Sequence, residues 1–257
     1  MLTLSPLPAL ADNYIWMLAD EMRGRALVVD PGEAAPVLDV LEARNLRLTA
    51  VLLTHHHPDH IGGVAGLLAR FPGTVVYAPV DERIPNAHTR VGDGDRIAIE
   101  SPAAQFDVIA VPGHTRTHVA YYGEGVLFCG DTLFSLGCGR LFEGTPAQML
   151  ASLDRLAALP ADTRICCGHE YTLANAAFAQ RIEPRNEALR LRREQARMLR
   201  EAGTPTLPSL LADERAANPF LRVDVMDAPP ELPQQAWRAG RVARFAALRS
   251  AKDGFRA

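Results

Sequence analysis

The chain has 257 residues, of which 48% are hydrophobic and 22% are charged. This composition is typical of a globular protein with a hydrophobic core, and it argues against an intrinsically disordered chain. The formal net charge of −3 provides no general attraction to nucleic acid or to an anionic membrane, so we expect neither as a partner. The length allows either one large α/β domain or a catalytic domain with a smaller second domain.

The amino-terminal residues and the cysteines indicate the cellular compartment. The first residues, MLTLSPLPALADNYIWML, lack the basic start and the continuous apolar run of a secretory signal. The four cysteines, Cys129, Cys138, Cys166 and Cys167, show no CxxC spacing and no framework of pairs. We therefore expect a cytoplasmic protein with reduced, buried thiols.

Short apolar runs separated by turn signals predict a β-sheet core in the first 170 residues. In chain order the runs are ALVVD, TAVLLT, TVVYAP, RIAI, FDVIAVPGH, VAYY, VLFCGD and TRICCGH. Helices are predicted between them at residues 33–44 and 61–70, where the apolar residues of the second stretch share one face. The combination predicts an α/β fold in which helices flank a sheet core.

The pattern changes in the last third of the chain, where strand-like runs end. Residues 184–202 predict a long amphipathic helix, with Pro184 in its first turn. A looser stretch follows, and a last helix is predicted at residues 234–250. The change of pattern places a domain boundary near residue 172, which gives a catalytic domain, 1–171, and a helical domain, 172–257.

The segment THHHPDH, residues 54–60, directly follows the apolar run VLL. In an extended segment, residues two positions apart point the same way, so His55 and His57 can bind one metal ion while His56 points elsewhere. Proline then turns the chain. If a helix starts near Asp59, this residue and His60 diverge by about 100°, which is wide enough to hold a second ion on the same side. This clustering of histidines around an aspartate predicts a metal site.

Three further candidate ligands each end an apolar strand run: His114 in VPGHT, Asp131 in VLFCGDT and His169 in ICCGHEY. Side chains at strand ends on one edge of a sheet converge on a common cleft. Five imidazoles and two carboxylates are too many for one four-coordinate zinc ion, but they suit two ions that share a bridge, for which we predict Asp131. His88 and His118 are not predicted as ligands.

The motifs THHHPDHIGG, PGHT, CGDTLF and CGHEYT resemble the metallo-β-lactamase superfamily and, within it, the glyoxalase II (hydroxyacylglutathione hydrolase) family. The resemblance spans nearly the whole chain and includes ADNYIWM, NPFLR and the closing RSAKD. It implies an αββα sandwich with metal ions at one edge and a carboxy-terminal helical domain. It also implies hydrolysis of S-D-lactoylglutathione to glutathione and D-lactate, the second step of methylglyoxal detoxification.

The resemblance also implies a role for each ligand. One ion would bind His55, His57 and His114, and the other would bind Asp59, His60 and His169, with Asp131 and a hydroxide shared. Asp59 and Asp131 are therefore the predicted catalytic residues. The expected cofactor is a pair of zinc ions, and the ligand types also suit iron or manganese. Asp30, which ends ALVVD, is predicted to orient a ligand histidine by accepting a hydrogen bond from its other nitrogen.

A metal site of this kind suits a thioester substrate. A divalent metal lowers the pKa of bound water from 15.7 toward about 7, so hydroxide is available to attack the carbonyl at neutral pH. The second ion can stabilise the tetrahedral oxyanion. A thiol with a pKa of about 8.5 leaves readily as a thiolate, so the reaction has little need for a protein general acid.

Glutathione carries two carboxylates and an ammonium group, so its site requires local charges. By resemblance, its contacts are Arg140, Phe142, Tyr171, Arg249 and Lys252. Lys252 is the single lysine beside 26 arginines, which suggests a position where a compact ammonium group is needed. Phe142 stands where some family members have a tyrosine that bonds to the tripeptide, and Thr117 replaces a common glycine.

A second function within the same fold stays open at this point. Persulfide dioxygenases share the fold and very similar ligands, but they bind one iron and oxidise a glutathione persulfide. Those enzymes lack the extended helical domain that ends in Arg249 and Lys252, which favours the thioester hydrolase. A non-enzymatic module on a decayed metal site would lack some ligands, whereas all seven are present. We expect a monomer that acts on a small glutathione thioester.

Overall fold

The computed structural model describes residues 2–256, which form two compact units. One unit comprises the chain up to residue 110 together with residues 117–130, and the other comprises residues 111–116 together with the chain from residue 131 onward. Each unit has its own strands and helices. No helix in the described part of the chain is long and apolar enough to cross a membrane.

The first unit contains two sheets and three helices. The larger sheet contains, in this order, β1 (Thr3–Ala9), β2 (Asn13–Asp20), β3 (Arg25–Val29), β4 (Arg47–Leu52), β5 (Val75–Pro79) and β6 (Thr89–Val91). β1 to β3 pair antiparallel, and β3 to β6 pair parallel. The other strands, β7 (Arg96–Glu100), β8 (Ala103–Ala110), β9 (Val119–Gly123) and β10 (Val126–Gly130), form an antiparallel meander. α1 (Ala35–Ala43) connects β3 to β4, and α2 (Pro58–Ile61) and α3 (Val64–Arg70) connect β4 to β5.

The core of the first unit lies on both faces of the larger sheet. All eight residues of β2 are buried, as expected for a strand that is covered on both faces. One face packs against α1 and α3, where Val37 and Leu67 are fully buried. On the other side, Tyr121 of β9 donates a 2.8 Å hydrogen bond to the carbonyl oxygen of Leu53, which follows β4. The end of β4, where the first metal-ligand candidates begin, is therefore held by the second sheet.

The second unit is mainly helical. Its strands are β11 (Leu133–Phe134), β12 (Gly137–Cys138), β13 (Arg164–Cys167) and β14 (Ser209–Leu210), which form the antiparallel pairs β11–β12 and β13–β14. Its helices are α4 (Pro146–Ala157), α5 (Thr172–Ile182), α6 (Glu187–Glu201), α7 (Leu211–Ala217), α8 (Gln234–Ala239) and α9 (Arg241–Gly254), with a 3₁₀ turn at Pro219–Leu221. Phe178, Phe220 and Phe245 are buried between the helices, with the first two rings 6.2 Å apart.

The strands that the apolar runs predict are confirmed as β3, β4, β5, β7, β8, β9, β10 and β13. The sequence pattern does not predict β1, because Pro6 and Pro8 interrupt it. β1 is an edge strand, where the missing N–H groups of proline need no partner. The position of β1 at the edge of the sheet therefore explains why these residues form a strand, although the low strand propensity of proline argues against one.

Several helix boundaries differ from the prediction. The helix predicted at 184–202 begins at Glu187, because the side chain of Asn186 caps it by accepting a 3.1 Å hydrogen bond from the Leu189 N–H. The prediction that Pro184 lies in the first turn of this helix is therefore wrong. The helix predicted at 234–250 is divided into α8 and α9 by Gly240, whose φ is +105°. The stretch 61–70 is shared between α2 and α3. The predicted division into domains 1–171 and 172–257 stays a prediction.

Candidate metal centre

The first ligand segment follows β4 and continues as extended chain. His57 has φ −61° and ψ 143° and is the N-cap of α2. His55 Nε2 and His57 Nδ1 lie 3.0 Å apart, with their ring planes at 76° to each other. His56 turns away, and its Nδ1 lies 3.6 Å from Asp81 Oδ2. The structure thus brings the nitrogen atoms of His55 and His57 together, as the alternation of extended chain requires.

Pro58 opens α2, and this single helical turn directs the next two candidates. Asp59 Oδ2 lies 3.5 Å from His60 Nε2. The other nitrogen of His60, Nδ1, lies 3.0 Å from Asp30 Oδ2. A histidine whose one nitrogen donates to a carboxylate presents the lone pair of the other nitrogen to a metal ion. Asp59 Oδ2 and His60 Nε2 therefore form a second pair of converging donors.

Asp30 supports both ends of this segment. Its carboxylate accepts hydrogen bonds from the Thr54 N–H at 2.8 Å and from the Thr54 hydroxyl at 2.7 Å, in addition to its contact with His60. Asp30 has a φ of +52°, which is uncommon outside glycine. The ligand atoms of Asp30, His55 and His60 all lie within 4.8 Å of one another. The structure therefore places Asp30 where the sequence predicted a residue that orients a ligand.

Like His56, two further histidines of the first unit, His88 and His118, were not predicted as ligands, and both have other roles. His118 stacks on His55, with ring centroids 4.5 Å apart and planes 17° from parallel, and its Nδ1 lies 3.1 Å from the Val119 carbonyl oxygen. His88 accepts a hydrogen bond from the Val76 N–H at Nδ1. His118 thus packs against a ligand candidate, whereas His88 supports the β5 region.

The second unit brings together the three remaining candidates. Asp131 directly follows β10, and its Oδ2 lies 3.4 Å from His114 Nε2 and 3.4 Å from His169 Nε2. His114 Nδ1 donates to the carbonyl oxygen of Arg140 at 2.9 Å, which fixes Nε2 as the acceptor nitrogen. One carboxylate oxygen therefore lies between two imidazoles. The bridging role of Asp131 stays a prediction, with which these two distances are consistent.

The chain segment that supports Asp131 and His114 passes very close to them. A methyl group added at Gly139 would lie 1.9 Å from the backbone oxygen of Asp131 and 3.4 Å from His114 Cβ. The Gly139 N–H donates to the Thr132 carbonyl oxygen at 3.1 Å. Only a residue without a side chain fits here, so Gly139 allows Arg140 to reach the back of His114.

The β11–β12 hairpin lies between Asp131 and Arg140 in the sequence and is held by buried side chains of α7 and its following residue. Asn218 donates from Nδ2 to the carbonyl oxygens of Phe134 and Gly137, both at 3.0 Å. Glu214 accepts from the Leu136 N–H at 2.7 Å, where Leu136 has a φ of +59°. Burial raises the pKa of Glu214 above its usual range. In the sequence, Asn218 was named only as part of NPFLR, and Glu214 was not singled out.

Two aromatic candidates for substrate contact lie against metal-ligand candidates. Tyr171 stacks on His169, with ring centroids 4.7 Å apart and planes 6° from parallel. Phe142 meets His114 edge to face at 5.2 Å, and 62% of its surface is exposed. Both rings belong to the second unit. Their position beside His114 and His169 agrees with a role in substrate contact, which stays a prediction.

The charged candidates for substrate contact form one cluster. Arg249 is buried and donates to the Cys138 carbonyl oxygen at 2.6 Å and to Asp253 at 3.0 Å. Arg140 Nε lies 3.4 Å from the same Asp253 oxygen. Lys252 donates to the Ala174 carbonyl oxygen at 3.2 Å. Burial, together with the charges of Arg249 and Arg140, lowers the pKa of Lys252 to about 8.

The donor atoms in each unit fit a divalent metal ion. Two ligands that are each about 2.0–2.1 Å from a tetrahedral ion lie about 3.3–3.4 Å apart. The observed separations are 3.0 Å and 3.5 Å in the first unit and 3.4 Å twice in the second. Imidazole nitrogens and carboxylate oxygens suit zinc, iron and manganese alike. Each group is therefore spaced as metal ligands are spaced.

Comparison with known proteins agrees with this geometry. Residues 13–169 match the sequence model of the Metallo-beta-lactamase superfamily, and residues 170–255 match that of the Hydroxyacylglutathione hydrolase C-terminus. The protein named Hydroxyacylglutathione hydrolase from Xanthomonas campestris pv. campestris (strain B100) is 52% identical over 260 residues, which covers 99% of this chain and 99% of the relative. The chain belongs to the hydroxyacylglutathione hydrolase family. Members of this family within the metallo-β-lactamase superfamily are metal-dependent hydrolases, and this protein is one of them.

Solved structures show the same fold. The BLEG-1 B3 metallo-beta-lactamase superposes with a TM-score of 0.65 at 25% identity, covering 85% of this chain and 99% of that chain. TTHA1623 in a di-iron-bound form superposes with a TM-score of 0.54 at 29% identity, covering 64% of this chain and 91% of that chain. The expected α/β sandwich of the metallo-β-lactamase superfamily, followed by a carboxy-terminal helical region, is therefore confirmed, and the His and Asp clusters make this hydrolase a binder of divalent metal.

Proposed function

We propose that this hydroxyacylglutathione hydrolase family member cleaves S-D-lactoylglutathione, a 2-hydroxyacylglutathione, to glutathione and D-lactate, the second step of methylglyoxal detoxification. The match of both family models, which together span residues 13–255, supports this substrate class. Relatives that carry the name Hydroxyacylglutathione hydrolase cover nearly the full chain. The observation that carries the proposal is the Asp131 oxygen at 3.4 Å from the imidazoles of both His114 and His169.

The proposed centre holds two metal ions. By resemblance, one ion would bind His55, His57 and His114, the other would bind Asp59, His60 and His169, and Asp131 would be shared. The spacing of the donors within each unit supports this assignment, as does the di-iron-bound form of TTHA1623. Zinc is the proposed metal, with iron and manganese as alternatives that the same donors accept. Asp59 and Asp131 are the carboxylates of the proposed catalytic centre.

The protein's own residues set up the chemistry by fixing the ligands. When bound, divalent metal ions supply Lewis acidity, which activates water at neutral pH and polarises a thioester carbonyl. Asp30 holds His60 through Nδ1, and the Arg140 carbonyl oxygen holds His114 through Nδ1. Each of these bonds fixes the tautomer and the orientation of the ring. His55 and His60 are almost fully buried, so the donors need little rearrangement when they bind a cation.

The glutathione part of the substrate is proposed to contact the charged cluster and the aromatic rings of the second unit. Lys252 and Arg140 offer positive charge to carboxylates, and Tyr171 offers a hydroxyl group. Arg249 is buried and bonded to Cys138 and Asp253, so we propose that it acts on substrate by holding this cluster in place. Thiolate departure needs no added proton donor, because a thiol has a pKa of about 8.5.

The remaining properties of the proposal are a cytoplasmic location and a monomeric state. Light scattering at the 27.9 kDa chain mass would agree with a monomer, and a doubled mass would contradict it. The match to the Hydroxyacylglutathione hydrolase C-terminus over residues 170–255 favours thioester hydrolysis over the persulfide dioxygenase alternative. Oxygen uptake with glutathione persulfide measures that alternative directly.

The decisive experiment measures thiol release from S-D-lactoylglutathione by the metal-loaded enzyme, with a thioester that lacks glutathione as the comparison substrate. We expect fast turnover of the glutathione thioester, loss of turnover in His57→Ala, and a raised KM in Lys252→Ala. His88→Ala is the matched control, because His88 only supports the β5 region and should keep full activity. If the fully metallated wild-type enzyme releases no thiol, the thioesterase proposal is wrong.

A further inference from the structure

The carboxylate of Asp81, in the loop after β5, is buried and accepts hydrogen bonds from two different segments. Oδ1 accepts from the Arg83 N–H at 3.0 Å and from Arg83 Nε at 2.8 Å. Oδ2 accepts from a second guanidinium nitrogen of Arg83 at 2.7 Å and from the Thr117 hydroxyl at 2.6 Å. The Arg83 bonds, with help from Thr117, hold the pKa of Asp81 well below its usual range. Asp81 is therefore a charged group with a fixed position.

The same Asp81 oxygen faces the ligand segment. Oδ2 lies 3.6 Å from Nδ1 of His56, whose side chain is only 13% exposed. His56 is the residue between His55 and His57, and its ring meets the His57 ring at 4.7 Å. A rotation of the His56 backbone would therefore turn both neighbours. A fixed carboxylate beside His56 restricts that rotation.

Thr117 connects Asp81 to the other side of the segment. It directly precedes His118, whose ring stacks on His55 at 4.5 Å. Two residues further, the Val119 N–H donates to the Thr54 carbonyl oxygen at 3.0 Å. The Thr117 hydroxyl thus ties Asp81 to a stretch that already packs on His55. Glycine at position 117 could not make this bond, so the departure from the common glycine has a structural consequence in this chain.

We infer that Asp81 is a positioning residue for the metal ligands His55 and His57, and that Thr117 and Arg83 hold it in place. Asp81 acts on the metal site through its contact with His56 and is not itself a predicted ligand. The inference rests on the proposed function insofar as His55 and His57 bind metal. It gives a structural role to Asp81, Thr117 and His56, none of which is a predicted metal ligand.

The test compares metal retention, without substrate, in Asp81→Asn, Thr117→Val and Thr117→Ser. Zinc-loaded protein is titrated with a chelator, and the thermal midpoint of the metal-free protein is measured in parallel. We expect Asp81→Asn to weaken zinc affinity by about 10- to 100-fold, as for other residues that orient metal ligands. Thr117→Val should weaken it by about 2- to 10-fold, the range for one lost hydrogen bond, and Thr117→Ser should restore it.

Asp20→Asn is the matched control. Asp20 is also nearly buried, and its carboxylate also accepts from the backbone N–H and the guanidinium of a following arginine, Arg23, at 3.1 Å and 2.9 Å. Asp20→Asn should lower the thermal midpoint as Asp81→Asn does, but it should leave zinc affinity unchanged. Zinc affinity of Asp81→Asn within about twofold of wild type, or an equal loss in Asp20→Asn, would overturn the inference. Absence of thioester turnover in the wild type would contradict the proposed function alone.

Discussion

The two groups of metal-ligand candidates are held by different means. In the first unit, His55, His57, Asp59 and His60 come from six consecutive residues. Their directions follow from the local backbone, which is extended up to His57 and then makes one helical turn. In the second unit, His114, Asp131 and His169 are separated by 17 and 38 positions along the chain, and they converge only because strands and turns return to one place.

The two groups differ in the number of supporting contacts that they need to hold the ligands in place. A contiguous motif needs few supports, and here Asp30 and Asp81 contact it from behind. A dispersed group needs a support for each member, such as the Arg140 carbonyl oxygen behind His114 and the close passage of Gly139 beside Asp131. We therefore expect substitutions of distant supports to damage the second group more than the first.

Removal of the ligands themselves should have the largest effect and should distinguish the two groups. His57 serves one proposed ion, whereas Asp131 is shared. We expect His57→Ala to retain about one metal ion per chain and Asp131→Ala to retain less than one, with thioesterase activity reduced by about a thousandfold or more in both. Elemental analysis of dialysed protein gives the metal content. Two retained ions in Asp131→Ala would contradict the bridging role.

Gly139→Ala tests the support of the second group. The added methyl group would overlap the backbone oxygen of Asp131 at 1.9 Å, so the chain must shift, at a cost of roughly 1–3 kcal/mol in unfolding free energy. We expect a lower thermal midpoint and loss of zinc in chelator titration. Gly254→Ala, where an added methyl group meets nothing within 4 Å, is the control and should change neither quantity. Normal zinc retention in Gly139→Ala would show that the second group tolerates movement.

The same difference explains how much the sequence could predict. The directions of the side chains in residues 55–60 follow from the local backbone alone. The alternation of side chains in extended chain pairs His55 with His57, and the helical turn pairs Asp59 with His60. His114, Asp131 and His169 were recognisable as strand ends, and Asp131 was predicted as the bridge from the number of ligands. Nothing in their local sequence, however, gives the distances that place one Asp131 oxygen between two imidazoles. Asn218 and Glu214 could not be assigned, because their partners are backbone groups about 80 positions away. A contact between a side chain and a distant backbone group leaves no recognisable pattern in the sequence.

Lys252 should give the charged cluster of the second unit a pH dependence. Its pKa is lowered to about 8, so the ammonium group loses its proton as the pH rises through about 8 and no longer attracts a substrate carboxylate. We expect KM for S-D-lactoylglutathione to rise by about three- to tenfold between pH 7 and pH 9, with little change in kcat, in keeping with one charged hydrogen bond. Steady-state kinetics across this range provide the measurement.

Lys252→Arg is the control for that pH dependence, because a guanidinium group stays charged over the whole range. Its KM should be flat between pH 7 and pH 9, even if its value is higher throughout. A thioester without glutathione should show no rise in KM with either enzyme. An equal rise in the arginine variant would place the titrating group elsewhere.

Phe142→Tyr should have the smallest effect and links the dispersed ligands to substrate recognition. The Phe142 ring meets His114 edge to face at 5.2 Å, yet most of its surface is exposed, so a hydroxyl group can be added without displacing the ligand. If the exposed edge faces the tripeptide, the new hydroxyl group adds one hydrogen bond, and KM should fall by about two- to tenfold while kcat and zinc retention stay constant. Phe142→Leu, which removes the ring contact, tests the other side: a changed zinc affinity there would mean that the ring supports His114. An unchanged KM in Phe142→Tyr would show that the Phe142 side chain supports only the metal-ligand candidate His114. The second unit would then use different residues for metal support and for substrate contact.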